Sequence, residues 1–183
     1  MIIRIIKLLI YSILSGSNFL IHDTDHIACN YNIRKARKMG VKTGNNCRFY
    51  STNFSTEPYL IEIGDHVTIT NGVQFITHDG GVWVFREKYS DIDLFGAIKI
   101  GNNVFIGLNS IILPNTTISD NCIVAAGSVV KGYFDKNSII AGIPAKKIST
   151  IAEYFEKNKD RFTYIRSFPN KKELIVSLFN KER

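Results

Sequence analysis

The sequence has few cysteines, and none of them are closely spaced. Cys29, Cys47 and Cys122 are scattered through 183 residues without a CxxC pair. Their odd number and wide spacing argue against a disulfide framework and against a structural zinc site, and they are typical of a reducing compartment. Hydrophobic residues make up 45% of the chain and charged residues 21%. We therefore expect a globular fold held together by an apolar core.

The sequence also lacks an apolar run long enough to cross a bilayer, which takes about 20 residues. The candidate near the N-terminus, Leu8–Leu14, is too short, and no convincing signal-peptide cleavage site follows it. Arg4, Lys7 and Tyr11 recur at helical spacing among apolar residues. We predict an amphipathic helix here, which either packs on this protein or a neighbouring subunit, or lies on a membrane surface.

The net charge of +7 is concentrated at the two ends of the chain. Residues 1–48 carry net +6, residues 49–145 net −4 and residues 146–183 net +5. Basic ends can bind a phosphate-rich cofactor, an anionic glycan, nucleic acid or a membrane, or they can be solvated helix faces. Nucleic-acid binding has no support beyond charge, because the aromatic residues are not interleaved with a basic strip.

A six-residue period runs through the second half of the chain. An isoleucine or valine returns at every sixth position, at Ile100, Ile106, Ile112, Ile118, Val124 and Val130. Clusters of Gly, Asn and Pro recur between these positions, so the chain turns about once per hexad, unlike a helix or a long strand. Three hexads form one triangular coil, which stacks Ile100 on Ile118, Ile106 on Val124 and Ile112 on Val130.

The period is weaker on the N-terminal side and is broken once. One phase holds Thr43, Phe49 and Ser55, and a two-residue slip resets it to Ile63, Ile69 and Phe75. An interruption runs from residue 77 to residue 97. We predict a mainly β protein, a hexapeptide-repeat parallel β-helix over residues 41–148 with an interrupting loop at 77–97.

Helical segments flank this solenoid. NYNIRKARKMG predicts a short helix that stops at Gly40, which makes residues 1–40 an N-terminal helical segment. STIAEYFEKNKDRF and NKKELIVSLFNKER predict two helices in a C-terminal extension, residues 149–183. We expect these helices to cap the open end of the last coil.

Four segments of the solenoid resemble the hexapeptide-repeat acetyltransferases. They are IGDHVTI at 63–69, THDGG at 77–81, IGNNVFI at 100–106 and AAGSVV…SIIAGIPAKKI at 125–148. The resemblance is to the branch that contains galactoside, maltose and bacterial polysaccharide O-acetyltransferases. It implies a left-handed β-helix, acetyl-CoA as the acyl donor, no metal, and a homotrimer with active sites between adjacent subunits.

The resemblance makes His78, at the start of the interrupting loop, the catalytic base. A sugar hydroxyl is a poor nucleophile until a base removes its proton as it attacks the thioester. Imidazole takes up and releases protons near neutral pH, so it can pass that proton to the departing thiolate. The alternative from the residues alone is a loop histidine bonded to its neighbours. Asp79 is not expected to orient His78, since adjacent side chains on an extended segment diverge.

Two further residues have expected roles near the acceptor. The resemblance places Asn53, in FYSTNF, as a catalytic and substrate-binding residue whose amide donates to developing negative charge. The alternative for Asn53 is a turn asparagine. Trp83, the only tryptophan, either stacks on a sugar in the acceptor pocket or anchors the loop.

Six residues match positions that contact the cofactor in the family: Gly107, Leu108, Ala125, Ala126, Lys131 and Lys146. The backbone at Leu108 and Ala126 would meet the pantetheine arm, with the small Gly107 and Ala125 permitting close approach. The two lysines would lie near the phosphates. Ordinary turn residues and solvated lysines are the alternatives.

Three rival functions differ in what they require. A γ-type carbonic anhydrase needs three histidines on zinc, but His66 and His78 are two hexads apart and so fall on different faces of the coil. An N-acetyltransferase of a nucleotide-linked amino sugar would use the same base. A non-catalytic scaffold would not need the long interruption, because such loops are usually functional.

We predict an acetyl-CoA-dependent O-acetyltransferase that modifies a saccharide hydroxyl in bacterial surface-polysaccharide biosynthesis. We expect it in the cytoplasm, with its N-terminus in peripheral contact with the inner face of the membrane. An N-acetyltransferase and a solenoid scaffold stay open as alternatives.

Overall fold

The computed structural model describes residues 19–165 and 170–180, without the side chains of residues 19–26. Its main body is a parallel β-helix of short strands arranged in three sheets. The strands are β1 Lys42–Thr43, β2 Arg48–Phe49, β3 Ile61–Ile63, β4 Thr68–Ile69, β5 Gln74–Phe75, β6 Ile98–Ile100, β7 Phe105–Ile106, β8 Ile111–Ile112, β9 Thr117–Ile118, β10 Ile123–Val124, β11 Val129–Val130, β12 Tyr133–Phe134, β13 Ser138–Gly142 and β14 Ala145–Thr150.

Each sheet collects every third strand of the coil. Sheet A has the order β1-β3-β6-β9-β12, sheet B the order β14-β13-β10-β7-β4-β2, and sheet C the order β11-β8-β5. In most of the shortest strands the second residue is buried and the first faces outward, so the inner positions repeat once per hexad. This is the arrangement predicted from the period, and the left-handed parallel β-helix is confirmed as the fold class.

The stacking in the regular part of the solenoid is the one predicted. Ile100 pairs with Ile118, Ile106 with Val124 and Ile112 with Val130. Each of these six side chains is buried, with 4% exposure or less. The coil of three hexads is therefore confirmed between β6 and β11.

The coils on the N-terminal side have other lengths. Thr43 pairs with Ile63 and Phe49 with Ile69, two positions beyond three hexads, which confirms the two-residue slip. The next pairings, β3 with β6 and β5 with β8, join segments on either side of the interruption. The insertion therefore makes this coil about twice as long as a regular one. The wider core here holds three phenylalanines in contact, Phe49, Phe54 and Phe75, with ring centroids 5.9 and 5.2 Å apart.

A helix, α1 (Phe19–Met39), precedes the first coil. Its buried residues Ile33 and Ala36 join the solenoid core, and the Asn32 amide donates to the Phe49 carbonyl over 2.8 Å. The helix stops before Gly40, whose φ of +106° favours glycine, so the predicted stop is confirmed. The helix predicted around Arg4 lies outside the described residues. None of the described helices is long and apolar enough to span a bilayer.

The last coil ends in a hairpin that the period did not predict. Strand β14 turns back antiparallel on β13 and becomes the edge of sheet B. A strand of the chain itself therefore covers this sheet edge, which would otherwise have unpaired backbone groups.

The chain divides into two compact units, residues 1–151 and residues 152–183. The predicted C-terminal helices are present as α2 (Ile151–Asn158) and α3 (Lys171–Asn180). A short 3-10 helix, Lys159–Arg161, follows α2. The capping role expected of these helices stays a prediction, as do the domain limits at residues 40 and 148.

Candidate active site

His78 lies at the neck of the insertion, where the chain leaves the solenoid after β5. A backbone bridge pairs His78 with Phe95 on the returning segment. The Asp79 N–H donates to the Leu94 carbonyl over 2.8 Å. The imidazole is therefore attached to a paired segment at the corner of the solenoid between sheets C and A, rather than to the outer part of the loop.

The imidazole contacts a carboxylate, Glu57. His78 Nδ1 is 3.0 Å from Glu57 Oε2. Two threonine hydroxyls donate to the same carboxylate, Thr56 to Oε1 and Thr77 to Oε2, each over 2.7 Å. The Glu57 side chain is 16% exposed and the His78 side chain 42% exposed. The carboxylate is thus nearly enclosed, while the imidazole is accessible from outside.

These contacts fix the charge of Glu57 and the tautomer of His78. The hydrogen bond from Thr56 is the largest cause, and together with those from Thr77 and His78 it lowers the pKa of Glu57 to about 2, against the opposing effect of burial. An ionised carboxylate only accepts hydrogen bonds, so the hydrogen of a neutral imidazole lies on Nδ1. Nε2 then carries the lone pair that can receive a proton.

Glu57 owes its position to the irregular part of the coil. It directly precedes a 3-10 helix, Pro58–Leu60, which supplies extra residues before β3. Asn53 pairs with Gln74, which lies 21 residues further along the chain. Glu57 and His78 are separated by the same 21 residues, so they also meet between these two neighbouring coils. No motif in the sequence singles out Glu57. The only sequence signal was the change of phase before Ile63, which shows that this coil is longer than 18 residues. How many residues separate facing positions at this corner is known only from the strand pairing.

Asp79 and Asn53 have other surroundings. The Asp79 carboxylate accepts the Gly81 N–H over 2.9 Å at the start of a 3-10 helix, Gly80–Phe85. It therefore serves as a helix cap, as expected of a side chain that diverges from His78. Asn53 is exposed on the outer side of the bridge to Gln74, at the edge of sheet C. The described contacts include none between the Asn53 amide and His78.

The insertion presents apolar side chains to the outside. Trp83 is 76% exposed, so in a single chain it does not anchor the loop. Other large apolar residues of the insertion that are about half exposed or more are Val84, Phe85, Tyr89, Leu94 and Phe95. An ion pair between Arg86 and Asp93, with 2.6 Å from Nη2 to Oδ1, holds the two limbs of the outer loop together. The exposed apolar side chains therefore belong to a loop whose two limbs are joined by this ion pair.

The residues matched to the cofactor fall on two edges of sheet C. Leu108 and Ala126 occupy exposed turns that enter sheet C from sheet B, and the Gly127 N–H donates to the Leu108 carbonyl over 2.7 Å. Lys146 pairs with Ala141, at the end of β13 in sheet B, on this same side. Lys131 instead follows β11 and lies at the opposite edge, the corner that also carries His78. A single chain therefore divides the predicted set between two edges.

Gly107 has a structural reason to lack a side chain. A Cβ on Gly107 would lie 2.5 Å from the Ala126 nitrogen and 2.8 Å from the Ala125 carbonyl carbon. The space is filled by the backbone of the next coil, so stacking excludes a side chain here. Close approach of a cofactor is not needed to explain this glycine.

A broad groove of about 840 Å³ lies elsewhere, on the outer side of sheet A. Lys42, Glu62, Lys99 and Tyr133 are among its lining residues, and His78 is not. We therefore do not assign the chemistry to this groove. In the part of the chain that the structure describes, no three His, Cys, Asp or Glu side chains are grouped so that they could hold a metal ion. His66 lies at another corner, where it contacts Asn103 over 2.8 Å.

Comparisons with known proteins agree with this fold. Residues 97–132 match the family model described as bacterial transferase hexapeptide (six repeats). The chain is 52% identical to Protein CapG of Staphylococcus aureus over 154 residues, which cover 81% of this chain and 90% of that protein. It is 32% identical to the galactoside O-acetyltransferase of Escherichia coli K12 over 124 residues, 66% of this chain and 58% of that protein.

A solved structure, galactoside acetyltransferase in complex with coenzyme A, superposes with a TM-score of 0.48 at 24% sequence identity. The match covers 70% of this chain and 72% of the other.

Proposed function

The chain belongs to the bacterial hexapeptide transferase family, and from that premise we propose that this acetyltransferase transfers an acetyl group from acetyl-CoA to a saccharide hydroxyl. The observation that carries the proposal is the His78–Glu57 contact at the neck of the insertion. It supplies an oriented, accessible base at the site where the family resemblance expects one. The galactoside O-acetyltransferase among the relatives supports a sugar hydroxyl as the acceptor.

The proposed chemistry is a direct transfer with His78 as general base. The acceptor oxygen attacks the thioester carbonyl while Nε2 of His78 takes the hydroxyl proton. The new C–O bond forms, the C–S bond breaks, and the proton goes from the imidazolium to the departing thiolate. Glu57 is a positioning residue: it holds the hydrogen on Nδ1, and its negative charge stabilises the imidazolium formed in between.

The exposed turns that enter sheet C are suited to an extended thioester arm. Leu108 and Ala126 lie one above the other in successive coils, and their backbones form a continuous edge. Lys146, in the hairpin, lies on the same side as these turns. Lys131 lies at the opposite edge of sheet C, and both lysines are exposed. An ammonium group at either end suits the phosphates of the donor.

We propose a homotrimer in which neighbouring subunits complete each site. One chain carries His78 at one edge of sheet C and the stacked turns at the other, so a neighbour is needed to bring the two together. The outer faces of sheets B and C are also apolar from β7 to β11, with Phe105 42% exposed and Ile111, Ile123 and Val129 half-buried. The outer face of sheet A instead carries Lys42, Glu62 and Lys99. Apolar faces favour association and the charged face favours solvent.

Trp83 and the neighbouring apolar side chains of the insertion are proposed to border the acceptor. An exposed indole on a closed loop can stack on the apolar face of a sugar ring. Asn53 lies on the outer side of sheet C, one coil before β5. We propose that its amide donates a hydrogen bond to the oxygen of the thioester carbonyl as negative charge develops there.

The test is thiol release from acetyl-CoA in the presence of a panel of sugars and amino sugars. We expect a sugar hydroxyl to stimulate release, and His78→Ala to reduce kcat by about 100-fold or more, the usual effect of losing a general base. Trp83→Ala should raise KM for the sugar more than it lowers kcat. Stimulation by amino sugars alone would replace the O-acetyl proposal with N-acetylation. Unchanged turnover in His78→Ala would overturn the proposed mechanism.

A further inference from the structure

We propose that the C-terminal unit, residues 152–183, binds the surface of an anionic phospholipid bilayer. This inference does not depend on the acyl-transfer proposal. It rests on the exposure, the helix geometry and the charge of this unit, none of which the catalytic site uses.

The C-terminal unit has no core of its own. None of its described residues is buried, and only Asn158 and Leu174 are even partly so. The exposed large apolar side chains of the unit are Tyr154, Phe155, Phe162, Tyr164, Ile165, Ile175, Val176, Leu178 and Phe179. About 30 residues are too few to bury an adequate apolar core alone. An apolar surface of this extent indicates a binding face.

The helix α3 is well formed at its start. Asn170 accepts the backbone N–H groups of Lys172 and Glu173 over 3.1 and 3.3 Å, and its amide donates to the Glu173 carboxylate over 2.6 Å. These contacts satisfy N–H groups that otherwise lack partners in the first turn. The helix is therefore set by its own cap rather than by burial.

The two sides of α3 differ in polarity. Ile175, Leu178 and Phe179 share one side at helical spacing, and Phe179 is 69% exposed. Lys171 and Lys172 lie at the start of the same side. The opposite side carries Glu173, Ser177 and Asn180. A short helix with a wide, exposed apolar side and a polar back suits the plane of a membrane interface.

The charge of the unit selects the kind of surface. Residues 152–183 contain eight Lys or Arg residues and five Asp or Glu residues, which gives net +3. Lys171 and Lys172 stand in the first turn of α3, where positive charge opposes the helix dipole. They are therefore not explained by helix stability, whereas anionic lipid attracts each lysine close to the surface. A second copy of the unit is the poorer partner, because two units of net +3 repel each other.

The test is co-sedimentation of the full-length protein with vesicles of phosphatidylglycerol or of phosphatidylcholine. We expect the protein to sediment with phosphatidylglycerol and not with phosphatidylcholine, and salt to weaken the binding. Lys171→Gln with Lys172→Gln should weaken the partition by about tenfold or more. Leu178→Ser with Phe179→Ser should have a similar effect through loss of the apolar side. The matched control, Lys99→Gln with Lys136→Gln on the solenoid, should bind like the wild type.

Three outcomes would overturn the proposal. One is a wild-type protein that stays in the supernatant with phosphatidylglycerol. Another is undiminished binding of the two C-terminal variants, together with lost binding of Arg4→Gln with Lys7→Gln, which would assign the contact to the N-terminus. The third is a change of solution mass in Leu178→Ser with Phe179→Ser without any vesicle binding, which would make a second copy the partner. Far-UV circular dichroism of each variant checks that it is folded.

Discussion

The coils formed by residues 98–134 and those formed by residues 42–76 bury the same kind of core but differ in regularity. From β6 to β11 successive coils pair at a constant offset of three hexads, and the buried side chains of the strands are isoleucine and valine. In the other region the offset is 20 residues for Thr43 with Ile63, 21 for Asn53 with Gln74 and 37 for Gln74 with Ile111. Three phenylalanines in contact fill the interior there. The regular coils form the scaffold, and the irregular ones bring Glu57 to His78. The candidate chemistry therefore lies where the repeat is broken.

Removing the outer loop tests this division most severely. A short Gly-Ser linker in place of residues 80–93 can join Asp79 to Leu94, because their backbones are already hydrogen-bonded over 2.8 Å. We expect kcat/KM to fall by about 100-fold or more, since the acceptor loses its positioning surface. The thermal midpoint should change little, because the loop buries none of its large apolar residues. Activity within a few-fold of the wild type would show that the insertion is not part of the site.

A methyl group added to the regular region should be costly. Gly107→Ala places a Cβ against the Ala126 backbone, so we expect the free energy of unfolding to fall by about 1–3 kcal/mol. Gly80→Ala, in the insertion, is the matched control, because no atom lies within 4 Å of its Cβ position. Urea denaturation at one protein concentration measures both. Equal stability of the two variants would contradict the close stacking at Gly107.

Glu57→Gln should impair catalysis without impairing binding. The neutral amide can still accept from Nδ1, but it no longer stabilises the imidazolium, so we expect kcat to fall roughly tenfold with KM nearly unchanged. Glu62→Gln is the control, since Glu62 pairs with Lys42 on the outer face of sheet A. A pH–rate profile separates the two explanations for a loss. A shift of the acidic limb, on which the general base is lost by protonation, supports positioning of His78, whereas a uniform drop at every pH would indicate only a structural role.

The smallest expected effect is on stability in acid. The pKa of Glu57 is lowered from an ordinary 4.5 to about 2, chiefly by the hydrogen bond from Thr56. Its ionised form therefore stabilises the fold above about pH 4.5, and this contribution is lost as the pH falls toward 2. The thermal midpoints of the wild type and Glu57→Gln should differ at neutral pH, and the difference should shrink as the pH falls from 4.5 to about 2. A difference that stays constant over that range would contradict the account.

The sequence predicted the parts of the fold that depend on local repetition. The stacking of Ile100 on Ile118 followed from a period of six, and the stop at Gly40 followed from helix-ending signals. The slip before Ile63 was also visible, because one phase of apolar residues gave way to another. Each of these features is specified by a short stretch of chain, so the local pattern is sufficient to predict it.

The parts that could not be predicted depend on which distant residues meet. Glu57 reaches His78 only because the first coil is lengthened by the 3-10 helix at Pro58, a length that the sequence pattern does not specify. The close contact of Gly107 with the backbone of the next coil also depends on distant residues, because Ala125 and Ala126 exclude a side chain there. The hairpin of β13 and β14 was missed because its antiparallel pairing departs from the hexad period.

His78 and Glu57 are expected to act as one catalytic unit, and a double-mutant cycle measures whether they do. The measurement is kcat for thiol release from acetyl-CoA, with the best acceptor of the sugar panel, in the wild type, His78→Ala, Glu57→Gln and the double variant. We expect Glu57→Gln to lower kcat in the wild-type background and to have almost no further effect once His78 is alanine. If Glu57→Gln lowered kcat by the same factor with His78 present and with alanine in its place, the two residues would not act as one unit. The carboxylate would then act independently of the imidazole.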